Sequence, residues 1–97
     1  MAFLSALATP IARRVEVWRP DARREQLLRS SGFCEGEGSL GASSVGVARG
    51  EGSIGQAFLT GVPALATPGT ESAGGMALAA IPVVLHGRLT AVLAIYF

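Results

Sequence analysis

The sequence predicts a single α+β domain built on an antiparallel sheet, and three features carry that expectation. Residues Ala77 to Leu85 and Leu89 to Phe97 are two near-continuous apolar runs joined through His86-Gly87, a pair suited to a tight hairpin turn that demands positive φ. Arg14-Val15-Glu16-Val17-Trp18 alternates polar and apolar, breaks at Arg19-Pro20-Asp21, and resumes as Gln26-Leu27-Leu28-Arg29 up to Gly32-Phe33, which reads as a second antiparallel hairpin. Between the two, Ile54 to Thr60 carries the start and stop signals of a short helix. A chain of 97 residues has room for one core, so residues 1–97 form one domain.

In chain order, Phe3, Leu4, Leu7 and Ile11 fall near helical spacing against Pro10 and predict a short N-terminal helix within residues 1–12. Its apolar stripe must be covered, which makes these four the candidate dimer-interface residues. The run has no positively charged start and is far too short to span a bilayer, so neither a signal peptide nor membrane association is expected. From Glu35 to Gly55 the composition shifts to Gly and Ser, predicting a loop-rich stretch, mobile in its first half. Ser53 is placed to cap the helix; Ile54, Ala57 and Phe58 share one face; Gly61 and Pro63 end it. A short extended Pro63 to Ala66 and a loop from Thr67 to Gly75 lead into the final hairpin. That hairpin is apolar on both faces, with Ile81, Val83 and Leu85 on one side of its first strand and Ala80 and Val84 on the other, so it should sit centrally and be covered twice. Part of the cover is expected from the N-terminal segment or a second subunit.

Composition narrows the function classes. The chain is 49% hydrophobic and only 15% charged, which points to apolar surface spared for association. Four Phe, one Trp and one Tyr among many small aliphatic residues predict a core of close-packed small side chains rather than a large cofactor cage, and no cofactor is called for. Net charge is +1, with eight arginines, no lysine and no polybasic run to follow a phosphate backbone, which argues against nucleic-acid binding. The pairs Arg13-Arg14 and Arg23-Arg24 read as solvated hairpin edges. One cysteine, Cys34, allows neither an internal disulfide nor a multi-cysteine zinc site and fits a reducing cytoplasm.

Gly50-Glu51-Gly52-Ser53-Ile54-Gly55 matches the dinucleotide pattern G-x-G-x-x-G, with Glu71 some twenty residues on. The following helix is too short for a βαβ crossover, Glu71 falls in a loop, and Glu51 would set a carboxylate beside the pyrophosphate. These glycines are therefore read as permitting a turn and close helix packing. His86 belongs to a turn, Cys34 lacks a neighbouring base in sequence, and Glu35, Glu37, Glu51 and Glu71 lie in glycine-rich loops as solvated charges. No catalytic constellation is expected, and no metal site.

The order of segments resembles a GAF domain across roughly residues 13 to 97. The resemblance is carried by Arg14-Val-Glu-Val-Trp18-Arg-Pro-Asp21, by Gly32-Phe33, by Arg49-Gly-Glu-Gly-Ser-Ile-Gly55-Gln-Ala-Phe58 with Thr60-Gly61-Val-Pro63, and by Ala80-Ile-Pro-Val83 with Gly87-Arg88-Leu89 and Ala91 to Phe97. It implies a GAF-like central antiparallel β-sheet flanked by short helices, with a pocket between the sheet and its variable loops. The chain is shorter than a usual member and has few residues between Ala66 and Met76, where pocket-covering structure often lies. With no asparagine it has no cyclic-nucleotide signature, and its single cysteine departs from the methionine sulfoxide reductases of this fold.

Two functions follow as expectations. One is a small-molecule-sensing regulatory domain in signal transduction, its pocket roofed by the Gly36 to Ser53 stretch and lined by Phe33, Ser53, Gln56 and Met76. The other is a degenerate GAF module acting as a non-catalytic homodimerisation or docking platform, with a separately encoded signalling partner possible in either case.

Overall fold

The computed structural model describes residues 12–67 and 76–97. Their elements run β1 (Arg14–Pro20), β2 (Gln26–Cys34), β3 (Gly38–Leu40), β4 (Gly46–Ala48), α1 (Gly52–Thr60), β5 (Ala64–Ala66), β6 (Leu78–Leu85) and β7 (Arg88–Tyr96). The strands form one antiparallel sheet in the order β3-β2-β1-β7-β6-β5, with β4 also on β2. The outer edge of β2 is shared: β3 pairs with Gly32–Cys34 and β4 with Gln26–Leu28. The chain between them, residues 41–45, is thereby left to arch away from the sheet edge.

Period-two alternation sorts the side chains into two faces. Directly opposed residues share a face, so Gly32, Glu16, Ala94 and Ala80 make one row across four strands, flanked by rows through Arg14 and Tyr96 and through Trp18 and Val92. On this face α1 lies, packing Ile54, Ala57 and Phe58 against Trp18, Leu27, Leu78, Ala80, Val92 and Ala94. Ala57, Ala80 and Ala94 are wholly buried; with no side chain beyond Cβ they let helix and sheet approach closely, as a small-residue core requires.

The final hairpin forms as its sequence dictates, with His86 at φ 53° and Gly87 at φ 75°, the two positive values of a type I′ turn. Pro82 is tolerated in β6 because β5 reaches only Leu78 to Ala80, leaving Pro82 on an edge. The helix ends at Gly61, φ 70°, whose N–H bonds Ala57 O at 2.9 Å. A Cβ there meets nothing within 4 Å but must adopt the left-handed region, so Gly61→Ala should cost about 1 kcal/mol in denaturant unfolding.

Several expectations are revised. The stretch from Glu35 to Gly55 contains two short strands. The helix starts earlier than Ser53: Glu51 is its N-cap, and Ser53 is instead buried inside the first turn. One helix, rather than several, flanks the sheet among the described residues. Among the described residues α1 covers one face of the sheet; on the other, Phe33, Leu65 and Ile81 are 58%, 78% and 37% exposed, and the N-terminal segment expected to cover part of it lies outside the described residues. Arg14 and Arg24 are half-buried while Arg13 and Arg23 are exposed, so each arginine pair sends one member inward. The predicted N-terminal helix with Phe3, Leu4, Leu7 and Ile11, and most of the Thr67 to Gly75 loop with Glu71, lie outside the described residues.

The glycine pattern is explained by packing. Gly50 has φ 81° and Gly52 φ 62°, and a Cβ on Gly55 would land inside the contact distance of the Ala48 carbonyl oxygen and 3.1 Å from Gly50 N. The backbone itself closes this turn through Gly50 N–H to Gly55 O and Gly55 N–H to Glu51 O, both 2.9 Å. The three glycines fold a tight corner between β4 and α1.

Candidate functional site

Glu16 sits mid-strand in β1 with its side chain 3% exposed, a burial that carboxylates accept only when well bonded. Alternation puts Arg14 and Trp18 beside it, two residues away on the same face. Arg14 donates to Glu16 Oε2 from Nε at 3.0 Å and Nη2 at 2.7 Å, and Trp18 Nε1 donates to Oε1 at 3.1 Å. From β7, the Tyr96 hydroxyl donates to Oε1 at 3.0 Å; from β2, Arg29 Nη1 donates to Oε2 at 3.2 Å. The room for this cluster comes from the small cross-strand neighbours of Glu16, Gly32 on one side and Ala94 on the other.

Arg29 reaches the site through an irregularity. Val17 opposes Ser31, but the next residue, Trp18, opposes Arg29, so Ser30 is the extra residue of a bulge. Without that shift Ser30 would stand opposite Trp18 and Arg29 would point to the far face. The bulge therefore supplies the second guanidinium. Arg29 is held in turn by Nε to Gly41 O at 3.1 Å, while its own carbonyl accepts from Ser43 N–H at 2.9 Å, which ties the 41–45 arch over the helix face.

Under that arch lies an open cavity of about 440 Å³. Arg14, Glu16, Trp18, Arg29 and Tyr96 form its floor and polar end; Ser43, Val45, Gly46, Val47 and Met76 form the walls. Burial by itself would push the Glu16 carboxyl up, but hydrogen bonds from Arg14, Trp18 and Tyr96 and the Arg14 charge outweigh it and hold the group below the usual carboxylate range. Five donors take the place of water around the two oxygens, and together they outweigh the burial. Conversely, burial disfavours the Arg14 charge, and the bond to Glu16 more than restores it.

Of the four residues expected to line a pocket, Met76 lines this cavity. Phe33 is on the opposite face of the sheet, Ser53 is buried in α1, and Gln56 is exposed on the outside of that helix. No residue of α1 lines the cavity. Sequence reasoning did not single out Arg14, Glu16, Trp18, Arg29 or Tyr96. The available signal was Trp18 in phase with Arg14 and Glu16: an indole at i+2 marks their shared face as the inner one.

Cys34 ends β2 opposite Arg14 and donates its thiol to Glu35 O at 3.7 Å; the neighbouring Glu37 carboxylate pushes the thiol up, against a smaller lowering by Arg14. A raised thiol is a poor nucleophile at neutral pH. Cys34 should accordingly react with iodoacetamide at pH 8 more slowly than free glutathione, and a faster rate would contradict the Glu37 contact. Among the described residues no group of three or more His, Cys, Asp or Glu could hold a metal ion, and no helix is long and apolar enough to cross a membrane.

The crystal structure of the A. aeolicus nlh2 GAF domain in an inactive state is similar to this chain, with a TM-score of 0.66 and 19% sequence identity over 89% of the chain. The fold is thus GAF-like, as the order of sequence segments implied. The chain spans 57% of the length of that solved structure. No protein-family model matches the sequence, and no curated protein matches it.

Proposed function

We propose that this GAF-like chain is a small-molecule-sensing regulatory domain in signal transduction, working in the cytoplasm without catalysis of its own. The observation that carries the reading is the cavity over Glu16: about 440 Å³, within the range of ligand sites, and built on a buried charged cluster that a purely structural sheet face has no need of. The ligand would sit between the sheet and the 41–45 arch, where occupancy can pull on β4 and, through the Gly50–Gly55 corner, on α1. A non-catalytic role is supported by the chemistry of the two candidate groups. The Cys34 thiol is raised, and Glu16 is an ionised carboxylate already saturated with donors, a poor general base.

Native mass spectrometry of the protein purified gently from its own cells tests this. An extra mass of metabolite size, lost on denaturation and absent from a Met76→Trp variant whose indole fills the cavity, is the expected result. A folded wild-type protein that carries no such mass and responds to no candidate ligand overturns it.

A second reading, a homodimerisation platform, is favoured by the sheet face opposite α1. Phe33, Leu65 and Ile81 are exposed there beside half-buried Val15, Val17, Leu93 and Ile95, a contiguous apolar surface of the sort that marks interfaces. Light scattering should then report a dimer for the wild type and a monomer for Ile81→Glu; equal masses for the two would dismiss this face as the interface.

A further inference from the structure

We propose that the cavity over Glu16 selects a small monocarboxylate with an apolar body, held by the unspent N–H groups of Arg29 and Arg14; this rests on the cavity being a ligand site. Five donors converge on the two oxygens of Glu16, from Arg14 Nε and Nη2, Arg29 Nη1, Trp18 Nε1 and the Tyr96 hydroxyl. A carboxylate offers about four lone-pair positions, so Glu16 has no capacity left for a ligand donor. The guanidiniums are not used up. Arg29 commits Nε to Gly41 O and Nη1 to Glu16, and its Nη2 has no hydrogen bond among the described residues. Arg14 Nη1 makes only a long ion pair, 3.9 Å, with Glu37 Oε2, a carboxylate 65% exposed to competing water. The Ser43 hydroxyl accepts from Val45 N–H at 3.2 Å and keeps its own proton to give. The polar end of the cavity therefore offers donors and asks for an acceptor.

Charge selects among acceptors. Two guanidiniums face one buried carboxylate, and the second carboxylate near them, Glu37, is 65% exposed and screened by water, so the cavity end keeps a net positive field that a monoanion neutralises. A dianion such as phosphate would instead set excess negative charge against a buried carboxylate. A neutral amide would satisfy some of the donors but would leave the charge unbalanced. The remaining walls are apolar, the Trp18 ring with Val45, Val47 and Met76, and the volume stands at the small end of ligand sites. A branched or cyclic body of amino-acid size fits that description.

Trp18 is the single tryptophan of the chain and donates to Glu16, so its emission reports on the cavity floor. The 97-residue protein is titrated with isovalerate, its neutral counterpart isovaleramide, and inorganic phosphate, each up to about 10 mM, enough to fill a site with a Kd near 1 mM. The expected result is a saturable change with isovalerate and at least about tenfold weaker responses to the other two. Arg29→Gln should weaken isovalerate about 10- to 100-fold, the loss typical of a hydrogen bond to a charged group, and Arg29→Lys should restore part of it through charge alone. Both variants are first shown to be folded by circular dichroism. Amide binding as tight as carboxylate, a preference for phosphate, or unchanged isovalerate binding in a folded Arg29→Gln protein overturns the monocarboxylate while leaving the sensor reading in place. Silence to all three probes overturns the monocarboxylate as well, and only if the native spectrum also shows no retained mass does the sensor reading fall with it.

Discussion

Gly55→Ala should destabilise this domain by about 3 kcal/mol, the upper end of overpacking costs, lowering Tm by about 15 °C for a domain of this size. The reason is what the added methyl would meet. Its nearest neighbours are the Ala48 carbonyl oxygen and Gly50 N and C, all backbone, and none can swing aside as a side-chain tip would. Ala48 is fixed by its pairing with Gln26 in the sheet, and Gly50 by its bond to Gly55 O. The helix could yield only by lifting away from β4, which would strip Ile54 and Phe58 from the core. Thermal unfolding followed by circular dichroism reads the effect, and a Tm within about 2 °C of wild type would show that the corner is looser than its geometry. The contrast with Gly61→Ala isolates the cause: that glycine has open space and positive φ, so its substitution carries strain without collision.

The same corner shows how far a sequence can be read. The turn and close packing expected of the glycines at Gly50 to Gly55 are present, and they were legible because φ preference and helix start signals are local. The His86-Gly87 turn, the helix stop at Gly61 and the strand pairs were legible for the same reason: each rests on φ preference or side-chain period within a few residues. The site was not legible. Its floor joins residues 14, 16, 18, 29 and 96, which meet only once β1 is paired on both sides and the Ser30 bulge has turned Arg29 inward. Alternation in Arg14 to Trp18 also has two solutions, valines inward or valines outward. Placing valines inward suits composition, yet the structure puts Arg14, Glu16 and Trp18 beneath the arch and leaves Val15 and Val17 on the other face. What decides it is the neighbour sheet positions: Val92, Ala94, Leu27 and Ala80 bury fully under α1 only in this register.

Glu16 is consequently the residue through which stability, pH response and the cavity are joined, and its removal should be the most informative single change. Glu16→Ala leaves Arg14 and Arg29 facing each other, removes the carboxylate to which Trp18 and Tyr96 donate, and opens a hole in the cavity floor. Breaking a buried pair costs about 3–5 kcal/mol, and the partial exposure of both arginines, 27% and 21%, sets the expectation at the lower bound, about 3 kcal/mol. Glu16→Gln keeps the shape and one acceptor oxygen but turns an amide N–H₂ toward a guanidinium, so about 2 kcal/mol is expected. The pH dependence separates charge from shape. Because the folded carboxyl is held below the ordinary value of 4.5, the contribution of Glu16 is complete above that pH. It declines as pH falls further, since the unfolded chain takes up the proton first, and is gone once pH passes the folded value. The stability gap between wild type and Glu16→Gln, measured by urea unfolding, should therefore be constant from pH 7 to about pH 5 and narrow toward pH 3. A gap that stays level over the whole range would mean that Glu16 acts through packing, and that the arginines beside it are not bound by its charge.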